Sequence, residues 1–469
     1  MSTRTAATAA IRFGLGAAPG ELERIGHAPR DWLMRQIDAR QTVPERLAGY
    51  PRADAIVGDA FAFQLAGRPA AGRDAVLEHR RRFGEELADR LLVMVSSETP
   101  LAERMVLFWS NHFTVSRSRA IVGPACGAYE REAIRPHVFG RFEDMLVAAC
   151  RHPCMTTYLD NFVSVGPASR DGGGAGRRTG QETGARRRGL NENLAREILE
   201  LHTLGVDGGY RQDDVVELAK ALSGWTHGGR RSRREVAAGV PVHGRFEFRA
   251  SMHEPGARTV LGRRYAEDGE AQGERVLRAL AHHPATARHL ARKLVRHFVD
   301  DDPPPTDVAR IAAVFSGSGG DLAAVTRALV DLDSAWSRAA GKLRTPYEVV
   351  CATLRAVDAG RTPDAWRAAR PARQLDALRQ MGQLPFSAPS PAGWPDVARH
   401  WVSPAALMRR IEWARASARG FDRSLDPMRL LASALGEHAG AATRDAVARA
   451  PSSDAALAMV FASHEFQRR

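Results

Sequence analysis

Along most of this chain apolar residues recur at intervals of three and four, the period of a helix that buries one face. The clearest runs are Pro29 to Ile37, 74 to 95, Leu101 to His112, Phe139 to Cys150, Tyr210 to Trp225, Pro284 to Phe298, Gly319 to Leu332, Pro346 to Val357, Pro404 to Arg419, Asp426 to Leu435 and Ser453 to Phe466. The period changes once. Arg245 to Arg249 alternates, and Thr259-Val260-Leu261 precedes a glycine, so one small β-hairpin is predicted between residues 245 and 262. The segment 164 to 189, with Gly172-Gly173-Gly174, holds too few apolar residues to pack and is expected to be a mobile loop. Gly382 to Pro395 is too rich in proline for helix and is expected as an ordered, extended loop held by its aromatics. The chain therefore reads as mainly α, roughly fifteen helices in one large helical body. Within it, residues 1–95 are N-terminal helices, 96–230 central helices with the candidate site and loop 164–189, 235–265 the β-hairpin excursion, and 266–469 C-terminal helices.

The central stretch Leu190 to Gly205 concentrates the chemistry. Wound as a helix, it puts Leu190, Leu194, Ile198 and Leu201 on one arc, with Asn193, Glu197 and Glu200 beside it at i, i+4 and i+7. Glu192, Arg196 and Glu200 follow one another at i, i+4, which in its plainest form is a solvated ion-pair ladder. Glu197 has no basic residue three or four positions away. Burying it requires a partner from elsewhere in the chain: an arginine, a backbone donor or a metal ion. His202 falls on the opposite flank of the apolar arc, away from Glu197 and Glu200.

Other imidazoles stand in unusual places. His112 closes a helix beside Phe108 and Trp109, where a histidine is most often a satisfied core residue, but a second polar cluster, Tyr129 to His137, follows soon after. Pro136 disfavours helix at Arg135 and so re-aims His137. His253 lies in the turn His253-Glu254-Pro255-Gly256 between the two predicted strands. Glu197 and Glu200 are the expected catalytic carboxylates, and His112, His137, Glu197, Glu200 and His253 the expected metal ligands. Mixed carboxylate and imidazole donors suit Zn, Mn or Fe, and such a divalent ion would acidify a bound water.

Charge changes this picture little. The net charge of +13 comes almost wholly from arginine, since lysine occurs only at 220, 293 and 342, and the arginines are scattered through helical periods instead of forming a stripe. That argues against nucleic acid as the partner. The glycines of Arg12 to Gly20 follow no strand and precede no Gly-Lys-Ser/Thr, so a phosphate-binding loop is not expected. Four cysteines, at 126, 150, 154 and 351, make no disulfide framework in a chain of this length. No apolar run reaches the ~18 residues of a membrane span, and Met1 to Ala10 lacks the pattern of a signal peptide, so a cytoplasmic location is expected.

Arg12-Phe13-Gly14, Phe108-Trp109-Ser110-Asn111-His112-Phe113, Arg135-Pro136-His137, His152-Pro153, Leu190-Asn191-Glu192-Asn193 through Gly205, Tyr210, Gly224-Trp225, His253 with Gly256, Lys342-Leu343-Arg344-Thr345-Pro346 and Gly393-Trp394-Pro395 together resemble the bacterial domain-of-unknown-function 1800 family. The resemblance implies one long domain and names no reaction. It also implies frequent export and a sulfatase-like family encoded nearby. Two functions are expected from the residues. The first is a metal-dependent enzyme with a Glu/His site, hydrolytic ahead of redox. The other is a non-catalytic helical binding protein for an acidic partner such as a polysaccharide or a protein.

Overall fold

The computed structural model describes every residue except 1–2, 40–41, 69, 173–188, 232, 338–340 and 423. Helices dominate it, and one continuous cluster of buried apolar side chains runs from Ala6 to Phe466. Five helices position the groups that matter below: α1 (Ala70–Ser96), α2 (Pro100–His112), α3 (Asn193–Glu197), α4 (Pro284–Phe298) and α5 (Pro346–Ala356). Three of them start with proline, whose fixed φ suits the first turn and whose missing N–H is not needed there. At the start of α5 the Thr345 hydroxyl accepts from the Glu348 amide while the Glu348 carboxylate accepts from the Thr345 amide, a reciprocal capping box. α3 does not continue as an α-helix. Its chain winds on as a π-turn, Ile198–His202, and stops at Gly205, which sits at φ +85°.

The β structure is small, as expected, but its pairing differs. Phe246–Phe248 (β2) pairs back with Trp225–His227 (β1), whereas Arg258–Val260 (β3) pairs with Arg263–Tyr265 (β4). The two predicted strands are thus partners of other segments and not of each other. A tight turn explains the second pair: Leu261 at φ +50° and Gly262 at φ +73° form the left-handed two-residue loop that matches strand twist. Helix Ala53–Leu65 is a further difference, because its apolar residues lie on several sides and leave no clear period. The centre of the expected loop, 173–188, lies outside the described residues. Its near flank is docked on the turn at residues 251–254, through Gly166 N to Met252 O (2.8 Å), Ala168 N to a Glu254 oxygen (2.7 Å) and Asp171 N to Ser251 O (2.8 Å).

Ion pairs tie the helices together inside the body. Arg90 of α1 forks onto Glu130 (2.7 Å), Glu130 accepts a hydrogen bond from Ser110 (2.8 Å), and Arg135 reaches both Glu130 (3.3 Å) and Glu103 (2.8 Å). Arg90 also donates to the Tyr347 hydroxyl of α5 at 3.0 Å. Elsewhere Arg355 chelates Glu21 at 3.0 Å, and Arg104 bonds Glu348 and Gly14 O. Burial alone would push the Glu130 carboxyl up, yet Arg90 and Arg135 hold it at about 2. Among the described residues no helix is long and apolar enough to cross a membrane.

Removing the Glu130 charge strands the buried Arg90 guanidinium and takes from Arg135 one of its two carboxylate partners. Glu130→Gln is expected to cost about 3–5 kcal/mol in urea unfolding. With its folded value depressed, Glu130 adds stability that is complete above about pH 4.3 and is lost as pH falls toward 2. The variant should therefore lose part of the parent's stability dependence in that window, and an unchanged acid unfolding curve would contradict the assignment.

Candidate functional site

α4 is a strongly one-sided helix, and at the edge of its buried face His289, Lys293 and His297 follow at i, i+4 and i+8. That spacing stacks three nitrogen-bearing side chains along one line. Facing them is the C-terminal turn of α2, where Phe108, Trp109 and Phe113 enclose His112 with ring centroids 4.6 to 6.4 Å away. The third wall is the proline-rich loop, ordered as expected: Phe386 packs on Phe83, and Trp394 on Trp401. Together these elements enclose a cavity of about 780 Å³ that includes His112, Lys293, His297, Asp301, Tyr347 and Asp396 in its lining. That size suits a small organic ligand.

The loop is clamped to α2 through one asparagine. Asn111 accepts from the Trp394 amide at 2.7 Å and donates to the Trp394 carbonyl at 3.0 Å. Gly393 is at φ +79°, and a Cβ there would lie 2.4 Å from Asn111 O. Only glycine allows this approach. Three residues on, the clamp delivers Asp396 to α4, where the His297 Nδ1–H donates to Asp396 Oδ2 at 2.7 Å. Lys342 holds the other side of that carboxylate (3.1 Å), its backbone carbonyl (2.7 Å) and Asp301 (2.6 Å), and Arg469 lies 3.7 Å away. Burial pushes the Asp396 carboxyl up, but His297, Lys342 and Arg469 outweigh it and keep it ionised.

His297 itself is pulled down to about 4, chiefly by burial, with Asp396 working against the shift. At neutral pH it is an uncharged imidazole. Because Nδ1 carries the proton donated to Asp396, Nε2 presents a bare lone pair, and that atom is buried with no hydrogen-bond partner among the described residues. A proton arriving there would create an imidazolium already backed by a carboxylate.

A second relay lies one turn back. His112 Nε2–H donates to His202 O at 3.1 Å, which leaves Nδ1 to accept from Lys293 Nζ at 2.9 Å. The π-turn supplies that carbonyl. His112 is held well below its usual value by burial and by Lys293, and so stays neutral.

The expected residues are placed apart. Only Glu197 and Glu200 are close neighbours, and the ladder through Arg196 forms, at 3.1 Å to Glu192 and 3.6 Å to Glu200. Glu197 is half-buried, makes no ion pair among the described residues, and has its carboxyl raised by burial and then by Glu200. His112 alone of the five reaches the cavity. His137 is half-buried with its value lowered by burial, and His253 donates through Nδ1 to Ser223 O at 2.9 Å under the edge of Phe248. Among the described residues no three His, Cys, Asp or Glu side chains are gathered in a way that could hold a metal. The five expected metal ligands thus form no such group among the described residues.

Lys293, His297 and Asp396 were not anticipated. Their signal was present in two forms, the i, i+4, i+8 spacing on α4 and the rarity of lysine. In a chain that uses arginine almost everywhere, two of three lysines, 293 and 342, stand at this site. An ammonium shifts its pKa on burial, whereas a guanidinium stays charged.

A family model described as protein of unknown function (DUF1800) matches residues 8–468. No curated protein and no solved structure matches the chain.

The loop clamp is testable without knowing the reaction. Gly393→Ala must adopt a left-handed backbone and displace the Asn111 carbonyl, so it should lower stability by about 1–3 kcal/mol in a denaturant melt. A melt unchanged from the parent would show that the loop is not held as described.

Proposed function

We propose that this chain, which belongs to the DUF1800 family of proteins of unknown function, is an enzyme that moves a proton in the cavity beside α4, and that the reaction is hydrolytic. The observation that carries this reading is the Nε2 of His297, buried and unpartnered among the described residues, with Asp396 behind its other nitrogen. A dyad of this form makes a general base: the imidazole takes a proton from a water in the cavity, and the carboxylate stabilises the charge that results. The Lys293 ammonium, one turn away on the same face, would stabilise negative charge developing on a substrate oxygen.

The carboxylates expected to act from α3 are no part of this reaction. Glu200 is paired with Arg196 and Glu197 lies half-buried beside it, and only His112 of the expected imidazoles lines the cavity. No step is routed through a divalent ion, since its expected donors lie apart. A reducing, cytoplasmic setting belongs to the same proposal, supported by four cysteines that are all unpaired and buried.

A panel of aryl ester, amide, phosphoester and glycoside substrates tests the reading. Turnover by the parent is expected to fall about 10²–10⁴-fold in His297→Gln, and Asp396→Asn should also lose activity through the wrong tautomer. With the base at about 4, kcat/KM should rise through pH 4 and level off above it, because the active form is the unprotonated one. Turnover that survives His297→Gln would overturn the assignment. Tight retention of an acidic polysaccharide without turnover would instead support a binding protein.

A further inference from the structure

Lys293 is unusual in what surrounds it. Among the described residues its polar contact is an imidazole nitrogen, His112 Nδ1 at 2.9 Å, and it makes no salt bridge there. The other two lysines are ion-paired, Lys220 to Glu217 at 2.7 Å and Lys342 to Asp301 at 2.6 Å. His112, His202 and His289 face the amine from α2, from the π-turn and from its own helix, and Asp396 and Arg296 are the charges that act on it. The lysine stands in the wall of the cavity beside His297.

We propose that Lys293 is a nucleophile toward a carbonyl substrate, and that the cavity takes an aldehyde or ketone by condensing it with this amine. The proposal rests on the reading of the cavity as a site of proton transfer and extends its substrates from hydrolysable bonds to a carbonyl compound. In the reaction the Nζ lone pair attacks the carbonyl carbon and the C=O π pair moves to oxygen. His112 Nδ1 accepts one N–H proton and passes it to that oxygen, giving the carbinolamine. A further proton from solvent lets the C–O bond break, water departs, and the nitrogen lone pair closes the C=N bond. The sum is amine, carbonyl and one proton giving iminium and water.

Three features suit this step. The tautomer of His112 is fixed by the His202 carbonyl, so a proton acceptor sits on the amine before substrate arrives. Burial lowers the amine to about 8, against the pull of Asp396, so that a usable fraction is unprotonated at neutral pH. His297 Nε2, one turn along, is within the same wall and can remove a proton from the carbon beside an iminium.

The scarcity of lysine makes the test direct. The purified full chain is incubated with glyoxylate and sodium cyanoborohydride, and adducts are located by peptide mass mapping. Lys293 is expected to be labelled at least about tenfold faster than Lys220 at pH 7, with half-maximal rate near pH 8 in place of the ~10.4 of a free lysine. Lys293→Met should lose that adduct alone, and His112→Gln should slow it about tenfold or more while Lys220 labels as before. Labelling of Lys293 no faster than Lys220, or a rate indifferent to His112, overturns the proposal. The two readings fail separately: hydrolysis of the substrate panel with Lys293 unlabelled removes the nucleophile, and selective labelling with no hydrolysis removes the hydrolytic reaction.

Discussion

A carboxylate inside a protein stays ionised only where cations and donors replace the water it has lost. Asp396 meets that condition with His297, Lys342 and Arg469, and each of these comes from a different part of the chain. The consequence runs outward. Asp396 is in reach because Asn111 grips the Trp394 backbone, which is possible because Gly393 has no side chain and a left-handed φ. Lys342 opens the strand of residues leading to the Thr345 cap of α5, and Glu348 in that cap pairs with Arg469 at 3.0 Å. One half-buried charge thus ties together a loop, two helices and an imidazole tautomer.

Several stretches that carry the family resemblance meet at this point. Asn111 and His112 come from Phe108 to Phe113, Lys342 from Lys342 to Pro346, and the loop clamp from Gly393 to Pro395. The π-turn that follows α3 contributes the His202 carbonyl, which orients His112. Glu197, in contrast, sits on the outer flank of the same segment. It was conspicuous in the sequence because no basic residue lies three or four positions away on its helix. A half-exposed carboxylate, however, can be solvated by water and needs no partner.

The helices were legible because burial of one face imposes a period, and because proline, threonine and aspartate mark their starts. Helix Ala53–Leu65 was not, since further apolar residues on its less buried sides, Ala55, Ala60, Ala62, Phe63 and Leu65, erase that period. Strand pairing was misread for a related reason: β2 and β3 follow one another in sequence, and nothing local in β2 shows that its partner is Trp225–His227. For the site, the alignment of His289, Lys293 and His297 was visible on α4, but a row of nitrogens reads as an ordinary basic helix until its surroundings are known. Asp396 had no local signal at all. Its role depends on a tertiary contact between a proline-rich loop and a helix far away in the chain.

The account turns on the protonation of one ring. Long-range ¹H–¹⁵N correlation spectra of the ¹⁵N-histidine-labelled protein, with the His297→Gln variant for assignment, read the tautomer of His297 directly. At pH 7 the account predicts a neutral imidazole protonated at Nδ1, with an Nε2 shift typical of a bare lone pair. A neutral ring protonated at Nε2, or an imidazolium at that pH, would contradict it.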